Sequence, residues 1–200
     1  KIYFFEEPGT FSYQDSEVGR VFPNEIFIPP TVSLPRKNTD EAPGRGIFIT
    51  VTGIPGLERL YKEAVKLGLK VYSNDIKAVP FAEYASPHII SGPNIIFQFA
   101  RSGWSSVWTS QLSGTPLVVP EWDKNDDPEI YFNNICIEKL KLGIVHRGES
   151  LKEILKKADE LRPGIEKYNK ILFKKFGTLD GTRYAAEKIV ADFLSAKVQC

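Results

Sequence analysis

The chain of 200 residues carries 26 basic and 25 acidic side chains, a net charge of +1, and 42% hydrophobic residues. This balance is typical of an ordinary globular protein and favours one domain with an appended segment. Nucleic-acid-binding proteins usually show an excess of basic residues, so the composition predicts no nucleic-acid partner. The apolar runs are too short to cross a bilayer, and the N-terminal residues lack the pattern of a signal peptide.

Cysteine and histidine are scarce, with two residues of each type. Cys136 lies in an apolar run and is expected in the core, whereas Cys200 is terminal. His88 and His146 have no second ligand nearby in the sequence, so we predict no metal site. The chain lacks methionine and begins with Lys1, from which we expect that an N-terminal portion of the protein precedes it.

Residues 1–45 predict an N-terminal arm and linker. Short strand patterns occupy residues 1–5 and 25–28, the second as an edge strand. Residues 29–45 are polar and rich in proline, and each proline removes a backbone donor and restricts the residue before it. We therefore interpret residues 29–45 as a linker or surface arm.

Residues 46–200 predict an α/β domain, because buried strand patterns alternate with helical ones. The run GIFITVTG at 46–53 is typical of a strand buried on both faces, and a helical pattern and a strand at 69–73 follow it. Further strands are predicted at 95–100, 117–119 and 143–145, with short ones near 78–79 and 89–90. Further helices are predicted at 105–113, 131–140, 151–161, 164–175 and 182–196, the third opening on a capping box at Ser150 and Glu153. The pattern predicts a Rossmann-like open parallel sheet with helices on both faces, whose ligands bind beyond the carboxyl ends of the strands.

The segment RSGWSS at 101–106 lies where a buried strand becomes a helix. A helix start exposes N–H groups without intrahelical partners, and the aligned peptide dipoles make that end positive. Small residues let an anion approach the backbone closely, so the segment predicts a phosphate site. Ser105 and Ser106 could instead only cap the helix. Trp108 is expected in the core, while Trp104 fits the core and a ligand wall equally well.

Together, SGWSS at 102–106 and SGTPLVVP at 113–120 resemble the donor-binding motif of the UDP-sugar-dependent GT-B glycosyltransferases. In that family the motif has a small residue, Gly, often Trp, and Ser at a helix start, and it ends in a small residue, Gly, any residue and Pro. The order of elements over residues 46–194 is similar to the C-terminal half of that fold. The resemblance implies a donor domain for a nucleotide-diphosphate sugar, chiefly a UDP-sugar, in a hexosyltransferase that needs neither a metal nor a further cofactor.

The resemblance also implies roles for single residues. The diphosphate would lie against the N–H groups and hydroxyls of Ser105 and Ser106, and the uracil against the backbone near Val79 and Phe81. Glu129 would accept hydrogen bonds from the donor sugar. The residues expected to contact the nucleotide sugar are Gly53, Val79, Phe81, Arg101, Ser102, Gly103, Trp104, Ser105, Ser106 and Glu129. Gly53 could instead serve only a tight turn.

Three positions depart from the family pattern. Arg101 replaces a His, and its guanidinium could still clamp a phosphate. Thr109 replaces a Glu that usually holds the ribose, and Ile130 replaces a Gln that contacts the sugar. These changes keep two alternatives open: a degenerate, non-catalytic nucleotide-sugar-binding module, and a nucleotide-sugar epimerase on the same fold, against which the isolated histidines argue. Asp123, Asp126 and Asp127 are interpreted as a solvated acidic loop.

The resemblance implies that the catalytic base lies in an N-terminal acceptor-binding half, so no catalytic residue is assigned in this chain. That half would belong to the same polypeptide or to a separate subunit. It should leave a large exposed apolar patch on this chain. We expect a cytoplasmic protein that contacts a membrane only through a partner or a lipid acceptor.

Overall fold

The computed structural model describes residues 3–9, 25–33, 44–50 and 57–198. Over these residues the strands are β1 (Tyr3–Glu6), β2 (Glu25–Ile28), β3 (Gly46–Thr50), β4 (Lys70–Ser73), β5 (Glu83–Tyr84), β6 (Ile95–Ala100), β7 (Leu117–Pro120) and β8 (Gly143–His146). The helices are α1 (Leu57–Lys66), α2 (Trp104–Ser113), α3 (Pro128–Leu140), α4 (Leu151–Phe176) and α5 (Gly181–Val198), and a 3₁₀ helix spans Pro87–Ser91. None of these described helices is both long and apolar enough to cross a membrane.

Strands β3 to β8 form one parallel sheet in the order β5-β4-β3-β6-β7-β8. This is the order of a doubly wound Rossmann sheet. Both faces are covered: Ile47 and Ile49 pack in a cluster with residues of α1 and α4, while Phe48 packs with Ile89 and Ile90 of the 3₁₀ helix. The predicted α/β class and parallel sheet are confirmed.

The segment after β4 differs from the sequence prediction. Residues 78–79 form a turn and residues 89–90 lie in the 3₁₀ helix, so neither is a strand. The turn is closed by Asp75, whose carboxylate accepts the N–H groups of Lys77 and Ala78, each at 3.0 Å. The edge strand β5 was not predicted, because its two residues are exposed and carry no apolar pattern.

Helix α4 runs for 26 residues without a break, although two separate helices were predicted over this stretch. Pro163 lies inside it and removes one backbone donor. The helix continues because Ala158, Ile165 and Leu172 bury one face along its length. The predicted capping box at its start is confirmed, with both reciprocal hydrogen bonds between Ser150 and Glu153 present.

Strands β1 and β2 form a separate two-stranded parallel sheet, at the two places where strand patterns were predicted. Contacts tie this region to the helices of the larger sheet. The Trp108 indole donates to the carbonyl of Pro8 at 2.7 Å, and the Gly181 N–H donates to that of Pro30 at 3.1 Å. A side chain would not fit at Gly181, because its Cβ would collide with the carbonyl of Pro29. The division of the chain at residue 45 stays a prediction.

Candidate functional site at the start of α2

The candidate site lies at the carboxyl edge of the larger sheet, between the neighbouring parallel strands β3 and β6. The chain order reverses here, because β4 lies on one side of this pair and β7 on the other. Open α/β sheets bind their ligands in the crevice at such a point. Helix α2 follows β6 directly, so its N-terminus borders the crevice.

The start of α2 is open. Gly103 is the N-cap residue in an extended conformation, and no described side chain caps the helix. A Cβ built on Gly103 meets no described atom within 4 Å. The N–H groups of the first helical residues have no partner within the helix and lie at the positive end of the helix dipole, which is an arrangement suited to an anion.

The serines and tryptophans of this segment take different roles. Ser105 is exposed and Ser106 half-buried, both inside the first helical turn, so neither acts as the cap. Trp104 is half-buried and stacks on Trp108, with ring centroids 5.5 Å apart. Both tryptophans pack against a cluster formed by α2, α3, α4 and strands β6, β7 and β8, and Trp104 also lies beside the open helix start. Thr109 lies one turn beyond Ser105 and is half-buried.

Arg101 forms an ion pair that the sequence did not predict. Its guanidinium contacts the carboxylate of Asp126, in the loop between β7 and α3. The Arg101 side chain is 49% exposed, whereas that of Asp126 is 18% exposed. The interpretation of Asp126 as a solvated loop residue is therefore wrong, because the carboxylate packs against a cation at the site. Asp123 and Asp127 are exposed, as expected.

Ser102 is fully buried and faces α3 instead of the crevice. Its hydroxyl donates to the carbonyl of Ile130 at 3.4 Å, and its own carbonyl accepts from Nδ2 of Asn133 at 2.7 Å. The same amide nitrogen lies 3.1 Å from a carboxylate oxygen of Glu129. Ser102 and Asn133 thus position the turn, and Glu129 stands exposed beside it.

Two of the residues expected near the base lie in the turn after β4, at the same edge of the sheet. Val79 is fully buried; its N–H donates to the carbonyl of Asp75, and its own carbonyl accepts from the N–H of Ala82, each at 3.0 Å. The Phe81 ring stacks on Tyr61 of α1, with centroids 4.5 Å apart. The Val79 N–H is therefore already engaged within the protein. Gly53 lies outside the described residues.

A polar chain crosses the core directly beneath the switch point. The Gln98 amide in β6 donates to the Thr50 hydroxyl at 2.9 Å, and its oxygen accepts from the Ser110 hydroxyl at 2.5 Å. Gln98 and Ser110 are buried, so these bonds satisfy groups that would otherwise be costly. The chain links the end of β3 to α2 and fixes the helix against the sheet.

The isolated cysteine and histidines do not build a site. Cys136 is fully buried and its thiol lies 3.6 Å from the Gly9 carbonyl, while burial raises the pKa of Cys136 to about 12. The predicted core position is confirmed. His88 is exposed, and Nε2 of His146 lies 3.1 Å from the carbonyl of Glu149. Over the described ranges, no group of three or more His, Cys, Asp and Glu side chains could hold a metal ion.

No protein-family model and no curated protein matches the chain. Its fold matches solved structures. The calicheamicin glycosyltransferase CalG4 matches with a TM-score of 0.64 at 15% identity, over 90% of this chain and 49% of that one. UGT89C1 of Arabidopsis thaliana, complexed with UDP-L-rhamnose, matches with a TM-score of 0.61 at 13% identity, over 95% and 56%. LpCGTa in complex with UDP matches with a TM-score of 0.52 at 17% identity, over 86% and 49%.

The chain spans about half the length of these proteins. It has the fold of one Rossmann-like half of a GT-B glycosyltransferase, and the resemblance drawn from the sequence is confirmed at the level of the fold. At identities of 13–17%, the likeness concerns the fold alone.

Proposed function

We propose that this chain is the nucleotide-sugar-binding half of a glycosyltransferase, and that its donor is a UDP-sugar. The observation that carries the proposal is the open, uncapped start of α2 at the switch point of the sheet. Structures that share the fold include one complexed with UDP and one complexed with UDP-L-rhamnose. A diphosphate is the anion that such a helix start would take here.

The chemistry follows from the charge that develops when the sugar leaves. The nucleoside diphosphate departs with growing negative charge, and the first N–H groups of α2 would stabilise it without a metal. Ser105 and Ser106 add hydroxyl donors in the same turn. Arg101 stands at the entrance of that turn, and Glu129 is exposed beside it to accept from sugar hydroxyls.

We place the base at the turn after β4, near Phe81. The Val79 N–H is bonded to Asp75, so neighbouring backbone groups would pair with the base. Gly53, which follows β3, is proposed to border the phosphates. Trp104 is proposed as the wall beside the donor, held there by its stacking on Trp108.

An acceptor-binding half would complete the enzyme and supply the catalytic base. Helix α5 supports this proposal, because its residues Ile189, Val190, Phe193 and Leu194 are each more than half exposed. The parallel pair β1–β2 supports it as well, since parallel strands are normally covered on both faces and two strands alone are rarely stable. Contiguous apolar surface of this kind marks an interaction site. The cytoplasmic location stays a prediction.

Calorimetric titration of the chain with UDP tests the proposal, using a substitution that fills the site. Gly103→Val places a branched side chain into the open space at the helix start, and its extended backbone tolerates such a residue. We expect UDP to bind the parent chain and to bind Gly103→Val at least tenfold more weakly. Gly164→Val is the matched control, because the same side chain enters open space on α4.

Thermal unfolding of both variants would show that the fold survives. Failure of UDP and UDP-sugars to bind the parent chain would remove the proposal, as would equal binding by Gly103→Val and the parent. A non-catalytic binding module is the second candidate. It is favoured by the ion pair that Asp126 makes with Arg101, and by Thr109 and Ile130, which replace a Glu and a Gln of the resembled motif. It predicts UDP binding with no sugar transfer when the acceptor-binding half is supplied.

A further inference from the structure

The loop of residues 121–127 connects β7 to α3 at the edge of the sheet where α2 begins. It carries Asp126 to the guanidinium of Arg101, and only 18% of the Asp126 side chain remains exposed. A guanidinium presents the same fork of N–H donors to a carboxylate and to a phosphate. Asp126 therefore pairs with the guanidinium that is suited to bind the anion proposed for this site.

The loop holds this carboxylate in a defined place. The Asp126 N–H donates to the carbonyl of Asp123 at 2.8 Å, which closes a turn within the loop. The Trp122 indole donates to the carbonyl of Asp127 at 3.3 Å, and its ring packs edge-on against Tyr131 of α3, with centroids 5.4 Å apart. Asp127 in turn caps α3. The pair with Arg101 is thus made by an anchored loop.

We propose that Asp126 is an internal competitor for the ligand's diphosphate at Arg101. This inference rests on the proposed function, because it names the group that regulates the same site. Binding of the diphosphate exchanges one ion pair for another: the phosphate takes the guanidinium, and the Asp126 carboxylate turns to solvent. Asp126 then lowers the affinity for the nucleotide and links its binding to a movement of loop 121–127.

UDP titration of the full chain and of charge-neutral variants tests the competition. Asp126→Asn should bind UDP about three- to fivefold more tightly than the parent, the upper part of the range expected for releasing one partly exposed ion pair. Asp127→Asn is the matched control. It removes a neighbouring carboxylate while asparagine keeps the helix cap, so its affinity should stay within about twofold of the parent.

Arg101→Gln separates direct competition from general electrostatics. In that background Asp126→Asn should not increase the affinity for UDP, because there is no guanidinium to release. An equal gain in the parent and in the Arg101→Gln background would overturn the inference, and so would unchanged or weaker binding by Asp126→Asn.

Chemical labelling of Arg101 decides between failure of this inference and failure of the proposed function. Phenylglyoxal reacts with accessible guanidinium groups, and mass spectrometry reports the rate at a single arginine. We expect Asp126→Asn to be labelled at Arg101 several-fold faster than the parent and Asp127→Asn. Equal rates would overturn the inference whatever UDP does. Faster labelling without UDP binding to any variant would support the masking of Arg101 and remove the proposed function.

Discussion

Arg162 of α4 is expected to be one of the most costly single residues to replace. Its guanidinium donates to the carbonyls of Gly114, Ile95 and Ile96, each at 3.0 Å. These bonds join the C-terminus of α2 to the start of β6, so they hold the helix that carries the proposed site. Burial lowers the pKa of Arg162, in keeping with its half-buried position.

The cost of Arg162→Met follows from those three bonds. A hydrogen bond from a charged donor contributes about 1.5–3 kcal/mol, but the three share one side chain, and water can reach part of the carbonyls once it is gone. Methionine keeps the apolar stem of the side chain. We therefore expect a loss of about 3 kcal/mol in the free energy of unfolding, or about 6–12 °C in Tm for a chain of this size.

Urea unfolding followed by circular dichroism measures this loss. Arg183→Met is the control, because Arg183 is 73% exposed and its ion pair joins it to Glu187 one helical turn away. That variant should be indistinguishable from the parent. A loss below about 1 kcal/mol for Arg162→Met would refute the reasoning, since it would mean that the three carbonyls are satisfied equally well without the guanidinium.

Two further substitutions test the contact with the N-terminal strands and the pH dependence of stability. Gly181→Ala should destabilise the protein by about 1–3 kcal/mol in urea unfolding, because its Cβ would meet the Pro29 carbonyl, whereas Gly164→Ala on α4 should not destabilise it. Equal stability of these two variants would show that the Pro29 carbonyl moves aside for the added Cβ without a cost in the free energy of unfolding. Burial acts to raise the pKa of Glu149, but hydrogen bonds from Lys157 and the Arg147 N–H outweigh it and lower the pKa to about 2. Its stabilising effect is therefore complete above about pH 4.5, the ordinary pKa, and is lost as the pH falls toward 2, on the order of 1 kcal/mol after solvent screening. Glu149→Gln should lose less stability than the parent between pH 5 and pH 3. Parallel curves of unfolding free energy against pH for the two proteins would contradict the lowered pKa of Glu149.

Local patterns were sufficient for the parts of the fold whose causes are local. The strand at 95–100 was predicted with its observed bounds because every residue except Gln98 is apolar. All six are buried in the structure. The capping box at Ser150 was predicted because both partners lie within four residues. The start of α2 was predicted from its small residues, and no described side chain caps it.

Contacts between distant residues account for most of what the sequence did not predict. The Arg101–Asp126 pair joins two loops that meet only once β6 and β7 lie side by side. The sequence predicted separate helices at 151–161 and 164–175, yet the burial of Ile165 and Leu172 outweighs the backbone bond lost at Pro163. Val79 fits a base-contacting segment by resemblance, but its own turn engages its N–H.

Amide NMR with UDP tests the central claim most directly, because it locates the ligand on the backbone. The N–H signals of the isotope-labelled chain would be followed through a titration with UDP. We predict that the largest shifts occur at Gly103, Trp104 and Ser105, where the open helix start faces the crevice. An absence of shifts, or shifts confined to another part of the chain, would contradict the account.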